Sequence, residues 1–169
     1  HGAPLRKKEL EKFSGAQRHR AAKDIADFLQ ALHSVTLSLA RKCGVTHAWT
    51  VAEHRQWCVA HLPIIQKKLG AVKSVQLQKI LDTCVRSKSP ERNCVVHQDF
   101  TSDHVLFDKK KNKITGIIDF GEVQISDPAT DIARMWKYGE AFVDSVLHYY
   151  KTTDKNIKSK SREKYIYFC

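Results

Sequence analysis

The sequence predicts an α+β protein, mostly helical, with a β-hairpin near its centre. Three observations predict it. Helix-period apolar stripes run through the first half of the chain. The pattern changes at Cys94, where the short runs "CVV", "HVLFD" and "ITGIID" follow one another, rich in β-branched and aromatic residues. Helix-period patterns resume after Asp127–Pro128. Helices segregated from a small group of strands read as α+β.

The first predicted helix spans residues 18–39, with Ala22, Ile25, Leu29 and Leu32 on one stripe and Phe28 and Val35 beside it. A second spans 50–69. Thr50 and Glu53 form a capping-box pattern at its start, and Gly70 suits its end. Pro63 is expected to kink it. A third helix spans 74–86, with Leu77, Ile80, Leu81, Cys84 and Val85 on one face, before "SKSPERN" breaks the pattern. The strands "HVLFD" and "ITGIID" are joined by the polar "KKKNK", a hairpin turn. Asp127 then reads as an N-cap with Pro128 at the first helical position. Another helix is expected at 140–151, carrying Phe142, Val143, Val146, Leu147 and Tyr150. Residues 152–164 are polar and basic, a loop or a frayed helix. Trp49, Trp57 and Trp136 are expected in the core.

The 169 residues suffice for one domain with a core. No apolar run reaches the roughly 18 residues of a membrane span, and the N-terminus has no signal-peptide core. The five cysteines are odd in number and include no CxxC pair, which suits reduced thiols packed in the core of a cytoplasmic protein. The chain opens on His1, its only methionine is Met135, and it closes on the apolar "YIYFC". The expectation is a segment of a longer protein, truncated at its C-terminus.

Lys and Arg number 29 against 18 Asp and Glu, a formal net charge of +11. Such a surface attracts polyanions, so a non-enzymatic nucleic-acid-binding module is an alternative. The distribution disfavours it. Basic residues crowd the N-terminus and the tail, whereas residues 97–131 hold seven acids: Asp99, Asp103, Asp108, Asp119, Glu122, Asp127 and Asp131.

Asp99 and Asp119 each follow a short apolar strand, and a hairpin separates them. Strands packed in a core hold their end residues rigidly, so the two carboxylates can converge on one site, joined by His104 at the start of the middle strand. Phosphoryl transfer asks for such a set: one carboxylate for the acceptor hydroxyl and a ligand pair for a divalent cation. Cys94, His97, Asp99 and His104 do not have the spacing of a structural zinc site.

"VVHQDFTSDHVLFD" followed by "ITGIIDFGEVQISDPATDIA" resembles the catalytic half of the aminoglycoside phosphotransferase family. These are small-molecule kinases with a protein-kinase-like fold. The resemblance is greatest to the aminoglycoside 2''-phosphotransferases, which carry His where relatives carry Asn; macrolide phosphotransferases also use His there. "HGAPL" and "IADFLQALHS" are similar to segments just after the hinge between the family's two lobes. The likeness runs, with gaps, from about residue 2 to residue 168.

The resemblance implies that residues 1–169 form the C-terminal lobe of such a kinase, without the N-terminal nucleotide lobe. It implies Asp99 as the catalytic carboxylate, with His97 and Asp131 supporting the catalytic loop. His104 and Asp119 would hold Mg²⁺ on the phosphates of ATP or GTP. Mg²⁺ prefers oxygen ligands, so His104 is an unusual member of that pair. Asp127 would cap its helix and contact a substrate amine. In the family an acidic stretch after the Asp-Pro helix helps bind the cationic antibiotic; here "MWKYGEAF" offers only Glu140. The implied acceptor is an aminoglycoside-like hydroxyl compound, as in antibiotic resistance. An inactive remnant of the kinase fold is the other alternative, because the seven glycines form no phosphate loop.

Overall fold

The computed structural model describes residues 2–49, 51–86 and 93–168. Strand β1 (Ala3–Pro4) and the single-turn helix α1 (Lys7–Leu10) lead into α2 (Gly15–His33), α3 (Leu37–Lys42) and α4 (Val51–Arg86). Strands β2 (Cys94–Val96), β3 (Val105–Asp108), β4 (Lys113–Ile117) and β5 (Gln124–Ser126) follow, with a 3₁₀ turn at Phe120–Glu122. Helix α5 (Ala129–Ala133), a second 3₁₀ turn (Arg134–Tyr138), α6 (Glu140–Tyr149) and α7 (Ile157–Phe168) complete the chain.

Helix α2 starts at a capping box. The Ser14 hydroxyl accepts from the Gln17 N–H at 3.3 Å, and the Gln17 side chain accepts from the Ser14 N–H at 2.9 Å. Its buried face is Ala21, Ala22, Ile25, Ala26, Leu29 and His33. The helix stops at His33 rather than continuing to 39. Thr36 starts a new helix there, its side chain accepting from the Leu39 N–H at 3.4 Å. Leu32 is consequently half-buried, and His33 takes the inward position.

The two helices expected over 50–69 and 74–86 meet at Gly70, whose φ of 76° and ψ of 167° lie outside the helical region. Glycine adopts a positive φ without a Cβ penalty. Pro63, where a kink was expected, lies inside α4, and the non-helical dihedrals within that helix are at Gly70. Pro63 and Val59 are exposed, so water can solvate the carbonyl that the missing N–H leaves. Thr50, most of "SKSPERN" and the side chains of the 77–85 stripe lie outside the described residues.

The strands make two small antiparallel sheets, β1-β3-β4 and β2-β5. β3 and β4 form the expected hairpin, with Asn112 in its turn at φ 50°. The β5 strand, which pairs Val95 with Ile125, was not expected. Helix α2 packs on α6, and α5 packs on α7. Leu5, Ile25, Leu29, Phe100, Val105 and Ile132 are fully buried between them. Each such side chain contributes roughly 1.5–3 kcal/mol of transfer free energy. The 152–164 segment forms the linker and much of α7.

Two expectations about packing are corrected. Trp136 is buried, its indole N–H donating to the Ser161 hydroxyl at 2.9 Å. Trp49 and Trp57 are 55% and 47% exposed. Trp57 stacks on His61, one turn further along α4, at 4.2 Å. Cys94 is buried in β2, but Cys43 follows the last turn of α3 and is exposed. Among the described residues no helix is long and apolar enough to cross a membrane.

Candidate functional site

The hairpin register builds the site. The Ile118 N–H donates to the His104 carbonyl at 3.0 Å, so His104 lies across from the residue preceding Asp119. The His104 Nδ1 bonds the Asp99 carbonyl at 2.8 Å and lies 3.4 Å from the Asp99 carboxylate. Its Nε2 lies 3.4 Å from the Asp119 carboxylate. The structure therefore brings Asp99, His104 and Asp119 together around one imidazole. The side chains are 36%, 18% and 60% exposed, so the ring is sheltered and both carboxylates reach solvent.

The hydrogen bonds assign the ring's proton. A carbonyl only accepts, so Nδ1 carries the hydrogen that bonds Asp99. In the neutral ring, Nε2 then presents a lone pair to the Asp119 carboxylate. Two electron-pair donors facing each other suit a cation between them. The pair is too small for a closed cage: among the described residues no group of three or more His, Cys, Asp or Glu side chains gathers to hold a metal. His104 and Asp119 would hold a divalent cation only as an open two-donor site, its remaining positions left to ligands from outside the chain, as Mg²⁺ sites usually are. The imidazole makes that site somewhat softer than an all-oxygen one.

The backbone around the site is strained and clamped. Gln98 has φ 69° and Asp119 has φ 65° and ψ 67°. Left-handed dihedrals at such residues cost about 1–3 kcal/mol each and need support. Asp131 supplies it at Gln98. The fully buried carboxylate accepts from the His97 N–H at 2.8 Å and from the Gln98 N–H at 2.9 Å. It also accepts from His33 Nε2 at 3.1 Å, while His33 Nδ1 accepts from the Tyr150 hydroxyl at 2.8 Å. The buried His97 ring donates through Nε2 to the Ile118 carbonyl at 3.0 Å. It thereby ties the loop before Asp99 to the strand end before Asp119.

Asp127 and Glu140 engage the C-terminal helix. Asp127 is fully buried; Oδ1 accepts from the Ala129 N–H at 2.8 Å, as a capping residue would, and Oδ2 pairs with Lys160 at 2.5 Å. Glu140 pairs with Lys158 at 2.9 Å. Sequence reasoning missed His33, Gln98, Arg134 and Lys137 around the loop. Arg134 Nε donates to the Gln98 carbonyl at 3.3 Å. His33 alone carried a signal, since it continues the buried register of Ile25 and Leu29.

Comparison with known proteins follows the same line. A family model described as a phosphotransferase enzyme family matches residues 1–163. The uncharacterised protein YcbJ of Bacillus subtilis (strain 168) is 26% identical over 142 residues, covering 82% of this chain and 45% of its own length. Hydroxylysine kinase of Mus musculus is 22% identical over 134 residues, covering 70% of this chain and 33% of its own. The solved GDP complex of wild-type aminoglycoside 2'-phosphotransferase-IIIa matches at a TM-score of 0.81 and 21% identity, over 99% of this chain and 58% of that one. The expected α+β, kinase-like fold is therefore the fold found. The chain spans less than half the length of these curated relatives.

Proposed function

The chain belongs to the phosphotransferase enzyme family, and from that premise we propose that it transfers the γ-phosphoryl group of a nucleoside triphosphate, ATP or GTP, to a small-molecule hydroxyl. The observation that supports this most is the convergence of Asp99, His104 and Asp119, with both carboxylates 3.4 Å from one imidazole. Asp99 is the catalytic carboxylate. It orients the acceptor hydroxyl and takes its proton as the hydroxyl oxygen bonds to the γ-phosphorus. The bond from that phosphorus to the bridging oxygen breaks, and nucleoside diphosphate leaves with the electron pair.

His104 and Asp119 would hold Mg²⁺, which when bound neutralises charge on the phosphates. His104 also keeps the Asp99 backbone in place through its Nδ1–H. Asp131 and His97 brace the loop, the first through two backbone N–H groups and the second through the Ile118 carbonyl. We assign the catalytic and acceptor side to residues 1–169 and the clamping of the nucleotide to an N-terminal lobe of a longer cytoplasmic protein. Aminoglycosides are the first acceptors to assay, because a solved structure of similar fold is an aminoglycoside phosphotransferase.

The test is phosphoryl transfer by the full-length protein carrying this sequence, with Mg²⁺ and either nucleotide, before and after Asp99→Asn. General-base loss should cost about 10²–10⁴ in turnover while circular dichroism stays unchanged. Turnover unaffected by the substitution would remove Asp99 from the chemistry and the reading with it.

A further inference from the structure

The charges around the acceptor side are matched unevenly. Lys158 of α7 pairs with Glu140 at 2.9 Å and with Asp144 at 2.6 Å. Lys160 pairs with Asp127 at 2.5 Å and with Asp154 at 2.9 Å. Asp127, Glu140, Asp144 and Asp154 thus already have internal ammonium partners. An acceptor rich in amines would have to displace them.

Lys137 is the opposite case. It lies on the 3₁₀ turn Arg134–Tyr138, which is fastened at both ends. Arg134 Nε holds the Gln98 carbonyl, next to Asp99, and the Tyr138 hydroxyl donates to the Leu5 carbonyl at 2.5 Å. Tyr138 also meets Ser102 in the same loop. Lys137 is half-buried between these anchors, with Nζ 5.7 Å from the Tyr138 ring centre. It feels the charges of Asp103, Arg134 and Asp99, yet among the described residues no carboxylate comes within 4.0 Å of it. Burial holds its ammonium below the ordinary lysine range, against the pull of Asp103 and Asp99. A half-desolvated cation in that position gains from an anion supplied from outside.

We propose that the acceptor carries an anionic group, a carboxylate or a phosphate, which Lys137 binds while the acceptor's hydroxyl lies at Asp99. Lys137 is then a specificity-determining residue. This rests on the phosphoryl-transfer reading and gives it a substrate class: a hydroxy acid or hydroxyalkyl phosphate, not a polyamine. The formal net charge of +11 draws such a ligand in and repels a polycation.

The test uses the full-length protein with Mg²⁺ and nucleoside diphosphate. Binding of D-glycerate, glycerol 3-phosphate, glycerol, ethanolamine and kanamycin is measured by calorimetry, and transfer to each is measured with the triphosphate. At least one anionic probe should bind tenfold or more tighter than glycerol and ethanolamine; which one does so separates carboxylate from phosphate. Lys137→Met should remove that preference and Lys137→Arg should restore most of it. Rising salt should erode it. Glycerol binding as tightly as both anions would overturn the proposal, as would a preference that survives Lys137→Met. Kanamycin phosphorylated in an Asp99-dependent way, indifferent to Lys137, would overturn it and leave phosphoryl transfer standing. A Lys137-dependent anion preference with no acceptor phosphorylated would do the reverse.

Discussion

Substituting Asp131 by Asn changes almost no volume and turns one carboxylate oxygen into an amide NH₂. The structure says what that costs. Asp131 Oδ1 accepts from the Gln98 N–H, and Oδ2 accepts from the His97 N–H and from His33 Nε2. Asparagine can satisfy one side only; on the other, NH₂ faces an N–H. A hydrogen bond to a charged acceptor contributes about 1.5–3 kcal/mol, and a buried donor left unpaired costs about 1–3 kcal/mol. Allowing for relaxation, Asp131→Asn should cost about 2–4 kcal/mol. In a domain of this size that lowers Tm by about 4–16 °C. The left-handed Gln98, at φ 69°, loses its clamp and should relax, carrying Asp99 with it. Urea unfolding gives the stability loss. The amide resonances of His97 and Gln98 should shift upfield and exchange faster with solvent. A variant within about 0.5 kcal/mol of the parent, with both amides unmoved, would refute the account of Asp131 as the hub.

Lys160→Met should destabilise the chain by about 3–5 kcal/mol, because it removes the ammonium from the fully buried Asp127 carboxylate. Adding Asp127→Asn should recover part of the loss, and a strictly additive double variant would count against the pair. Stability should hold below about pH 10 and fall above it. Burial raises the Tyr138 phenol, with Asp103 adding to the rise and Ser102 opposing it. Burial lowers the Lys160 ammonium, but hydrogen bonds to Asp127 and Asp154 outweigh it and raise it overall. In both groups the folded state keeps a proton that the unfolded chain gives up, so the free energy of unfolding declines through the alkaline range. Urea titrations between pH 7 and about 11.5 measure this, and a flat profile would contradict both assignments.

The parts of the fold legible in the sequence were those set by local pattern. The stripe of α2, the stop at Gly70, the β3–β4 hairpin and the Asp127–Pro128 start each depend on residues within a few positions of one another. The contacts that span the chain were not legible. Strand β5 is three residues long and exists by pairing with β2 across the whole hairpin. Trp57 looks like a core residue by type, but its position on α4 faces solvent. Within the site, Asp99, His104 and Asp119 were legible because strand ends and a hairpin bring them together. Lys160 was not, since a lysine in a basic tail gives no sign that it will enter the core beside Asp127.

The same distinction explains how the site is held. His33 comes from α2, Tyr150 from just beyond α6 and Asp131 from α5, and they form one buried chain ending on the His97 and Gln98 amides. None of the three needs to meet a substrate to matter. Buried polar groups in series are costly unless every member is paired, so the helices can pack this way only when the loop at His97 and Gln98 supplies the last donors. Core and loop therefore specify each other. Gln98 can keep its left-handed backbone because two helices and their polar partners are committed to it. A substitution at His33, 98 positions from Asp131 in sequence and one hydrogen bond away in space, must reach Asp99 through that commitment.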